Sequence, residues 1–174
     1  MDISILDNSS VKIRFKQTTF VVDPSADIAK ISSDAIILLD RGNNLSLEAV
    51  ERRIIINGPG EYELNGVKVL GVKVDKGFVY GISDDGFGTI LGKTSEISKI
   101  KEEFNTECQI ALLNVDDNLN QSIVTRFEPK IVVLYGANKE NGAKVLGKVN
   151  VSPIKKFTVT KDKLPQETEV VALG

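Results

Sequence analysis

Residues Ile54 to Val74 leave few folds open to this chain. They read Ile-Ile-Ile-Asn-Gly-Pro-Gly-Glu-Tyr-Glu-Leu-Asn-Gly-Val-Lys-Val-Leu-Gly-Val-Lys-Val. Three β-branched isoleucines run into Asn57-Gly58-Pro59-Gly60, turn chemistry that ends a strand. Glu61-Tyr62-Glu63-Leu64 then alternates polar and apolar, and Asn65-Gly66 supplies the two positive-φ residues that a tight type I′ hairpin requires. Val67, Val69, Val72 and Val74 return as the second strand, with Lys68 and Lys73 between them. Glu61 and Glu63 lie two apart on a strand and therefore share one exposed face, beside Lys68 or solvent.

The flanks extend this pattern. Ile3, Ile5, Val11, Ile13 and Phe15 sit at strand spacing around a break at Asp7-Asn8-Ser9, and Thr18 to Val22 completes a small meander ending at Asp23-Pro24. Ala35 to Leu39 is a continuous apolar run, as expected of a strand covered on both faces. Ser46 to Arg52 has room for a short helix only. Phe78 to Ser83 and Phe87 to Gly92 form two more strands about the turn Asp84-Asp85-Gly86.

Helices enter in the second half. Ser95 to Phe104 puts Ile97, Ile100 and Phe104 on one face, with Glu96 in the first turn where the helix dipole favours an anion. Gln109 to Val115 and Lys130 to Tyr135 read as buried strands. Between them Asn118 caps a helix that has Ile123 and Phe127 on its core side and stops at Pro129. Lys139 to Val149 reads as a helix facing the core through Val145, Leu146 and Val149, weakened by Gly142 and Gly147 at about 1 kcal/mol each. Ile154 to Thr160 and Thr168 to Leu173 are the closing strands. A strand-rich half followed by strand–helix alternation argues for a layered α/β domain, one domain over residues 1–174.

Composition removes several classes of function. Twenty-two Lys and Arg against 24 Asp and Glu leave a net charge of −2. That balance lacks the positive field that drives nucleic-acid binding. Aromatic residues are 6% of the chain with no Trp, so no base-stacking platform is expected, and Arg52-Arg53 is too short for a basic patch. The apolar runs fall far short of the roughly 18 residues that span a bilayer. Met1-Asp2-Ile3-Ser4 is not the basic start of a signal peptide, and Cys108 has no partner for a disulfide. The expectation is a cytoplasmic protein that engages neither membrane nor nucleic acid. Above all, the chain contains no histidine.

Several segments resemble small metallo-β-lactamase-superfamily hydrolases, in the subgroup related to ascorbate-phosphate lactonases. The hairpin Asn57 to Val67 looks like that family's corresponding hairpin, and Ile3 through Asp23-Pro24 like its first three strands with their terminal Asp-Pro. Glu128-Pro129-Lys130-Ile131-Val132-Val133 resembles the start of its penultimate strand, and Leu164 to Val171 a closing strand of the same group. The resemblance implies an α/β protein, a metallo-β-lactamase-like αββα four-layer sandwich, with its site at one edge where the two sheets meet.

The same resemblance implies a zinc site that these residues do not supply. The family binds one or two zinc ions through HxHxDH after the strand equivalent to Ala35–Leu39, with two further histidines and a bridging Asp. Here that motif position is Asp40-Arg41-Gly42-Asn43-Asn44-Leu45: Asp40 and Gly42 stand for the first two histidines, and Asn44 and Leu45 for the Asp-His pair. The bridging-Asp position is Lys93, and the later histidines fall near Val115-Asp116-Asp117 and Tyr135-Gly136. Zinc wants about four N, S or carboxylate donors in tetrahedral array, and a lysine puts positive charge where the dication belongs. Without the metal there is no Lewis acid and no acidified water.

Other motifs carry less. Gly92-Lys93-Thr94 resembles the end of a phosphate loop, but the position five residues before Gly92 is Phe87, and Thr89-Ile90-Leu91 is strand. The amides opening a helix at Ser95 remain able to hold a lone anion. Cys108 and Ser9-Ser10 have no histidine to act as base and are read as structural, Cys108 as a small apolar group.

The chain is therefore expected to be a catalytically inactive member of this fold, acting as a binding, regulatory or assembly module. No catalytic residue, metal or cofactor is expected, and Asp40, Arg41, Asn44, Lys93, Asp116, Asp117 and Tyr135 mark the vestigial cleft. A protein partner or self-association is left open, and the small-molecule ligand is unassigned. Asp40, Asp116 and Asp117 with Lys93 and Arg41 read either as a polar pocket able to hold Mg²⁺ or Ca²⁺ through oxygen ligands or, by preference, as ordinary loop carboxylates and helix caps. The alternative function is a hydrolase or lactonase with a rebuilt site using Asp40, Lys93, Asp116 and Asp117.

Overall fold

A computed structural model describes residues 1–174 except 43, 44, 102, 103, 105, 106 and 118. Three short strands open the chain as a meander: β1 (Asp2–Ile5), β2 (Val11–Arg14) and β3 (Thr19–Val22), each antiparallel to the one before. Then come β4 (Ile31–Ser32), β5 (Ala35–Ile37), a 3-10 turn (Leu47–Ala49), β6 (Val50–Glu51) and β7 (Ile54–Ile56). β3, β5 and β7 run parallel, and β4 pairs with β6 as a separate two-stranded sheet.

Four longer strands follow as antiparallel neighbours: β8 (Gly60–Leu64), β9 (Val67–Lys73), β10 (Phe78–Asp84) and β11 (Phe87–Lys93). The rest alternates α1 (Thr94–Ile97), β12 (Ile110–Asn114), α2 (Ser122–Phe127), β13 (Ile131–Tyr135) and α3 (Lys139–Val145). The chain closes with β14 (Lys156–Thr158), which returns to β1, and β15 (Glu169–Ala172), parallel to β13. The two large sheets have the orders β14-β1-β2-β3-β5-β7 and β15-β13-β12-β11-β10-β9-β8.

The turns follow local chemistry. Asn65-Gly66 takes φ of 49° and 85°, and Asp85-Gly86 takes 49° and 73°, as type I′ hairpins demand. The residues that alternate along the strands then sort into three apolar layers. Ile3, Ile13, Phe20, Ile37, Tyr80, Leu91 and Val133 pack between the two large sheets. Val79, Ile90, Ile97, Leu113, Ile123 and Leu134 lie between the seven-stranded sheet and its helices. Val21, Ile36, Leu38 and Val50 form the third layer, outside the six-stranded sheet. Ala35 to Leu39 is buried on both faces, as its unbroken apolar run required.

The sandwich expectation holds, with the outer layers shorter than expected. Over the six-stranded sheet the cover is the 3-10 turn and the β4–β6 pair. α1 ends at Ile97 instead of Phe104, continuing as tight turns through Ser98 and Ile100. Its Glu96 is not a surface dipole partner. It is buried, and its carboxylate accepts the Lys76 and Gly77 amides at 3.1 and 3.2 Å. α3 likewise stops at Val145, and Val149, expected on its core face, is 73% exposed. The cause is Gly147 at φ 75°, which lets Lys148 and Gly147 donate back to Ala143 and Lys144 and so cap the helix as a Schellman motif. Asn118, read as a helix cap, lies outside the described residues.

Candidate functional site

β3 and β5 run parallel in one sheet, and β11, β12 and β13 run parallel in the other, so their carboxyl ends cluster. The residues at or just past those ends are Asp23, Asp40, Lys93, Asn114 to Asp116, and Tyr135-Gly136. Cross-sheet bonds hold the ends together. The Tyr80 hydroxyl donates to the Leu38 carbonyl at 2.9 Å, and the Phe78 amide to that of Leu39 at 2.7 Å.

Lys93 and Asp40 meet here as an ion pair, with side chains 24% and 28% exposed. Partial burial pulls the Lys93 ammonium down, but the bond to Asp40 and the fields of Asp40, Asp23 and Asp116 leave it above the usual lysine value. Positions that the sequence resemblance assigns to a histidine and to the bridging aspartate are thus bonded to each other.

The other candidates divide. Asp116 takes Thr94 and Ser95 as partners: one oxygen accepts the Thr94 hydroxyl (3.0 Å) and the Ser95 amide (3.1 Å), the other the Ser95 hydroxyl (2.6 Å). Burial works against its charge, yet these bonds hold its carboxyl below the usual range. The amide at the start of α1, considered for a free anion, is therefore taken by the chain's own carboxylate. Lys93 is likewise committed to Asp40, which leaves the phosphate-loop reading without a cation. Asp117 is exposed, and its carbonyl lies 3.5 Å from the Thr94 hydroxyl. The Arg41 guanidinium lies 6.0 Å from the centre of the Phe78 ring. Asn44 lies outside the described residues.

Tyr135 is completely buried, and by strict hydrogen-bond geometry its hydroxyl has no partner among the described residues, Asn114 being the side chain in closest interaction. Burial, and after it the Asp23 carboxylate, push its ionisation far above the normal range; the Asn114 side chain pulls the other way, and Asp116 adds the smallest push. Cys108 packs beside the helix-side core, and burial pushes its thiol up to about 12, as suits a small apolar filler.

Asp23 belongs to this cluster, although the sequence marked it only as a strand end before proline. It is 7% exposed, sits at φ 43°, and accepts the Leu39 amide at 2.9 Å. Its own carbonyl accepts the Ser10 hydroxyl at 2.6 Å. Burial raises its carboxyl to about 7, against the opposing pull of the Leu39 amide and Lys93, with Asp40 adding to the rise. The signal available in the sequence was an aspartate closing an apolar strand, with no residue beside it to neutralise it.

These donors do not fit zinc. Among the described residues no three His, Cys, Asp or Glu side chains come together as a metal-holding group. Asp40 is bonded to a cation, Asp116 already accepts two hydroxyls and an amide, and Asp23 is buried and bonded to the Leu39 amide.

No protein-family profile matches the sequence, and no curated protein does. Solved structures do. A Thermotoga maritima protein assigned to the Zn-dependent hydrolases of the metallo-β-lactamase superfamily superposes with a TM-score of 0.76 at 17% identity, over 99% of this chain and 97% of its own. Igni18, a metallo hydrolase from Ignicoccus hospitalis, gives 0.59 at 11% identity over 91% of this chain and 99% of its own. The metallo-β-lactamase fold protein YhfI from Bacillus subtilis gives 0.58 at 9% identity over 98% and 95%. With the two-sheet sandwich, its flanking layers and these superpositions in hand, the chain is seen to have the metallo-β-lactamase fold, carrying a lysine–aspartate pair where the resemblance calls for metal ligands.

Proposed function

We propose that this protein uses the metallo-β-lactamase fold for binding, as a regulatory or assembly module, and does not hydrolyse substrates. The observation that carries the reading is the Lys93–Asp40 ion pair. An ammonium ion there cancels the charge of the carboxylate best placed to hold a dication, and it repels a second cation from the same space. A rebuilt hydrolytic site using Asp40, Lys93, Asp116 and Asp117 has less support, because Asp40 and Asp116 already have their acceptor oxygens engaged within the chain. A general base or nucleophile needs such groups available to substrate.

Elemental analysis of the purified, dialysed protein tests this. Zinc and manganese are expected at well under about 0.1 equivalent, since the site lacks a closed donor set. One equivalent retained in the wild type and lost in Asp40→Ala overturns the proposal.

A further inference from the structure

The two large sheets end in four edge strands, and three of them are protected. β7 and β14 are three residues each, β7 following Arg52-Arg53 and β14 carrying Lys156 after Lys155. β15 is covered in part by Ile154, whose amide donates to the Ala172 carbonyl at 2.9 Å and whose carbonyl accepts the Gly174 amide at 3.1 Å. Short length, cations and a covering segment are the usual means of keeping an edge from pairing with another chain. β8 is built differently. It runs five residues, Gly60 to Leu64, with no lysine, arginine or proline inside it, and β9 is its one strand partner among the described residues.

The turn fixes which backbone groups of β8 face outward. In a two-residue hairpin about Asn65-Gly66, Leu64 and Val67 exchange hydrogen bonds, and at every second step so do Tyr62 with Val69 and Gly60 with Gly71. The amides and carbonyls of Glu61 and Glu63 therefore point away from β9. Bonds reaching β8 from elsewhere among the described residues go past them: the Thr18 hydroxyl donates to the Leu64 carbonyl at 3.2 Å, and the Tyr62 hydroxyl turns back to the Gly58 carbonyl. Both glutamate side chains lie on one exposed face. Neither forms an ion pair among the described residues, although Lys68 stands opposite Glu63 in register. On the other face Tyr62 and Leu64 are partly buried against the core between the sheets.

This pattern selects the strand that can be added. A second copy pairing antiparallel about Tyr62 sets Glu61 of each copy against Glu63 of the other, and like charges directly opposite one another destabilise a ladder. A segment with Lys or Arg at two alternate positions answers both glutamates. Its intervening residue falls opposite Tyr62, where a β-branched side chain extends the cover over Tyr62 and Leu64. We infer that the outer edge of β8 takes up an extended, basic–apolar–basic segment of a partner protein as an added antiparallel strand, held by the main chain of Glu61 and Glu63. The inference rests on the binding-module reading and deepens it by naming the partner class. The two fail separately, because metal content reports on the strand-end cluster and strand addition on a sheet edge.

The probe is an end-capped, fluorescein-labelled peptide, Thr-Val-Lys-Val-Lys-Val-Thr, followed by anisotropy as the full chain is added. A Kd on the order of 100 µM is expected for so short an added strand. On binding, amide exchange should slow at Glu61 and Glu63 and stay unchanged at Tyr62, whose amide already bonds to β9. Methylating both lysine amides of the peptide should abolish binding, whereas methylating the central valine amide should change it less than about twofold. Exchanging both lysines for glutamate should weaken binding about tenfold, and the protein carrying Glu61→Lys with Glu63→Lys should recover that loss. Both substitutions lie on exposed side chains and leave the core untouched. Equal binding of the lysine and glutamate peptides to the wild type, binding that survives methylation of the lysine amides, or no binding at all overturns the inference. So does slow exchange at Glu61 and Glu63 in a wild-type dimer without peptide, since the occupant is then a second copy of the chain.

Discussion

The strand-end cluster and the outer face of β9 treat their leftover chemistry in opposite ways. At the strand ends nearly every polar group is answered from within: Lys93 by Asp40, Asp116 by Thr94 and Ser95, Asp23 by the Leu39 amide. On the outer side of the seven-stranded sheet, Leu70, Val72 and Val74 stay only partly buried. The difference separates inheritance from opportunity. A polar site satisfied by its own residues offers a ligand little, because each new bond must first break an old one. Apolar surface left partly exposed has no such competitor.

The largest expected effect breaks the claim that the strand-end cluster is satisfied throughout. Folded Asp23 keeps its proton to about pH 7, whereas an unfolded aspartate releases it near pH 4. Between those values the native state binds the extra proton. Stability is therefore fully present below about pH 4 and is lost as pH rises through 7. Urea midpoints measured from pH 4.5 to 8 should fall, with a total loss of about 3 kcal/mol. Asp23→Asn should flatten that slope. If the slope persists in the variant, Asp23 is not its source and the buried carboxyl is charged throughout.

Removing the lysine comes next. Lys93→Ala leaves Asp40 beside Asp23 with no cation between them, and should cost about 2 kcal/mol, less than a fully buried pair because both side chains touch solvent. Lys93→Ala combined with Asp40→Ala should recover about half of that loss by denaturant titration, the coupling expected of groups in contact. Strict additivity would mean that the pair adds nothing to stability.

Smaller effects sharpen the contrast. Tyr135→Phe deletes a buried hydroxyl with no well-formed hydrogen bond among the described residues and should stabilise the fold by about 1 kcal/mol, read as a rise in Tm. A loss instead would reveal that the hydroxyl is answered by Asn114 after all. Smallest is zinc itself: equimolar Zn²⁺ should leave the Tm unchanged within about 1 °C, because an ion that does not bind the native state cannot shift unfolding. A clear rise would reopen the strand ends as a ligand site.

How much of this was legible in the chain varies with how local the cause is. The Asn65-Gly66 and Asp85-Gly86 hairpins were readable because two residues with positive φ decide them. Glu61 and Glu63 lie on one exposed face, as period-two alternation required. The ends of α1 and α3 were not readable. Glu96 looks like an exposed first-turn acid until the amides of Lys76 and Gly77 arrive from 20 and 19 residues away, and Gly147 reads as a weak helix residue until its left-handed turn closes α3. Arg41 and Asp40 are neighbours in sequence, yet one rests over Phe78 and the other is bonded to Lys93. Asp23 went unmarked because a carboxylate before proline looks like any turn.

The amino-acid sequence alone determined which segments would run as strands, where their hairpins turn, and that imidazole is absent from every position of the chain. It determined these because backbone conformation, strand alternation and residue identity act over a few neighbours or none. Only the tertiary structure decided that Lys93 would neutralise Asp40 across 53 positions, that Asp116 would close the start of α1, and that Glu96 would be buried against the Lys76 and Gly77 amides. Those outcomes depend on which strand ends and faces are brought together, and on how burial then prices each charge and each exposed apolar side chain.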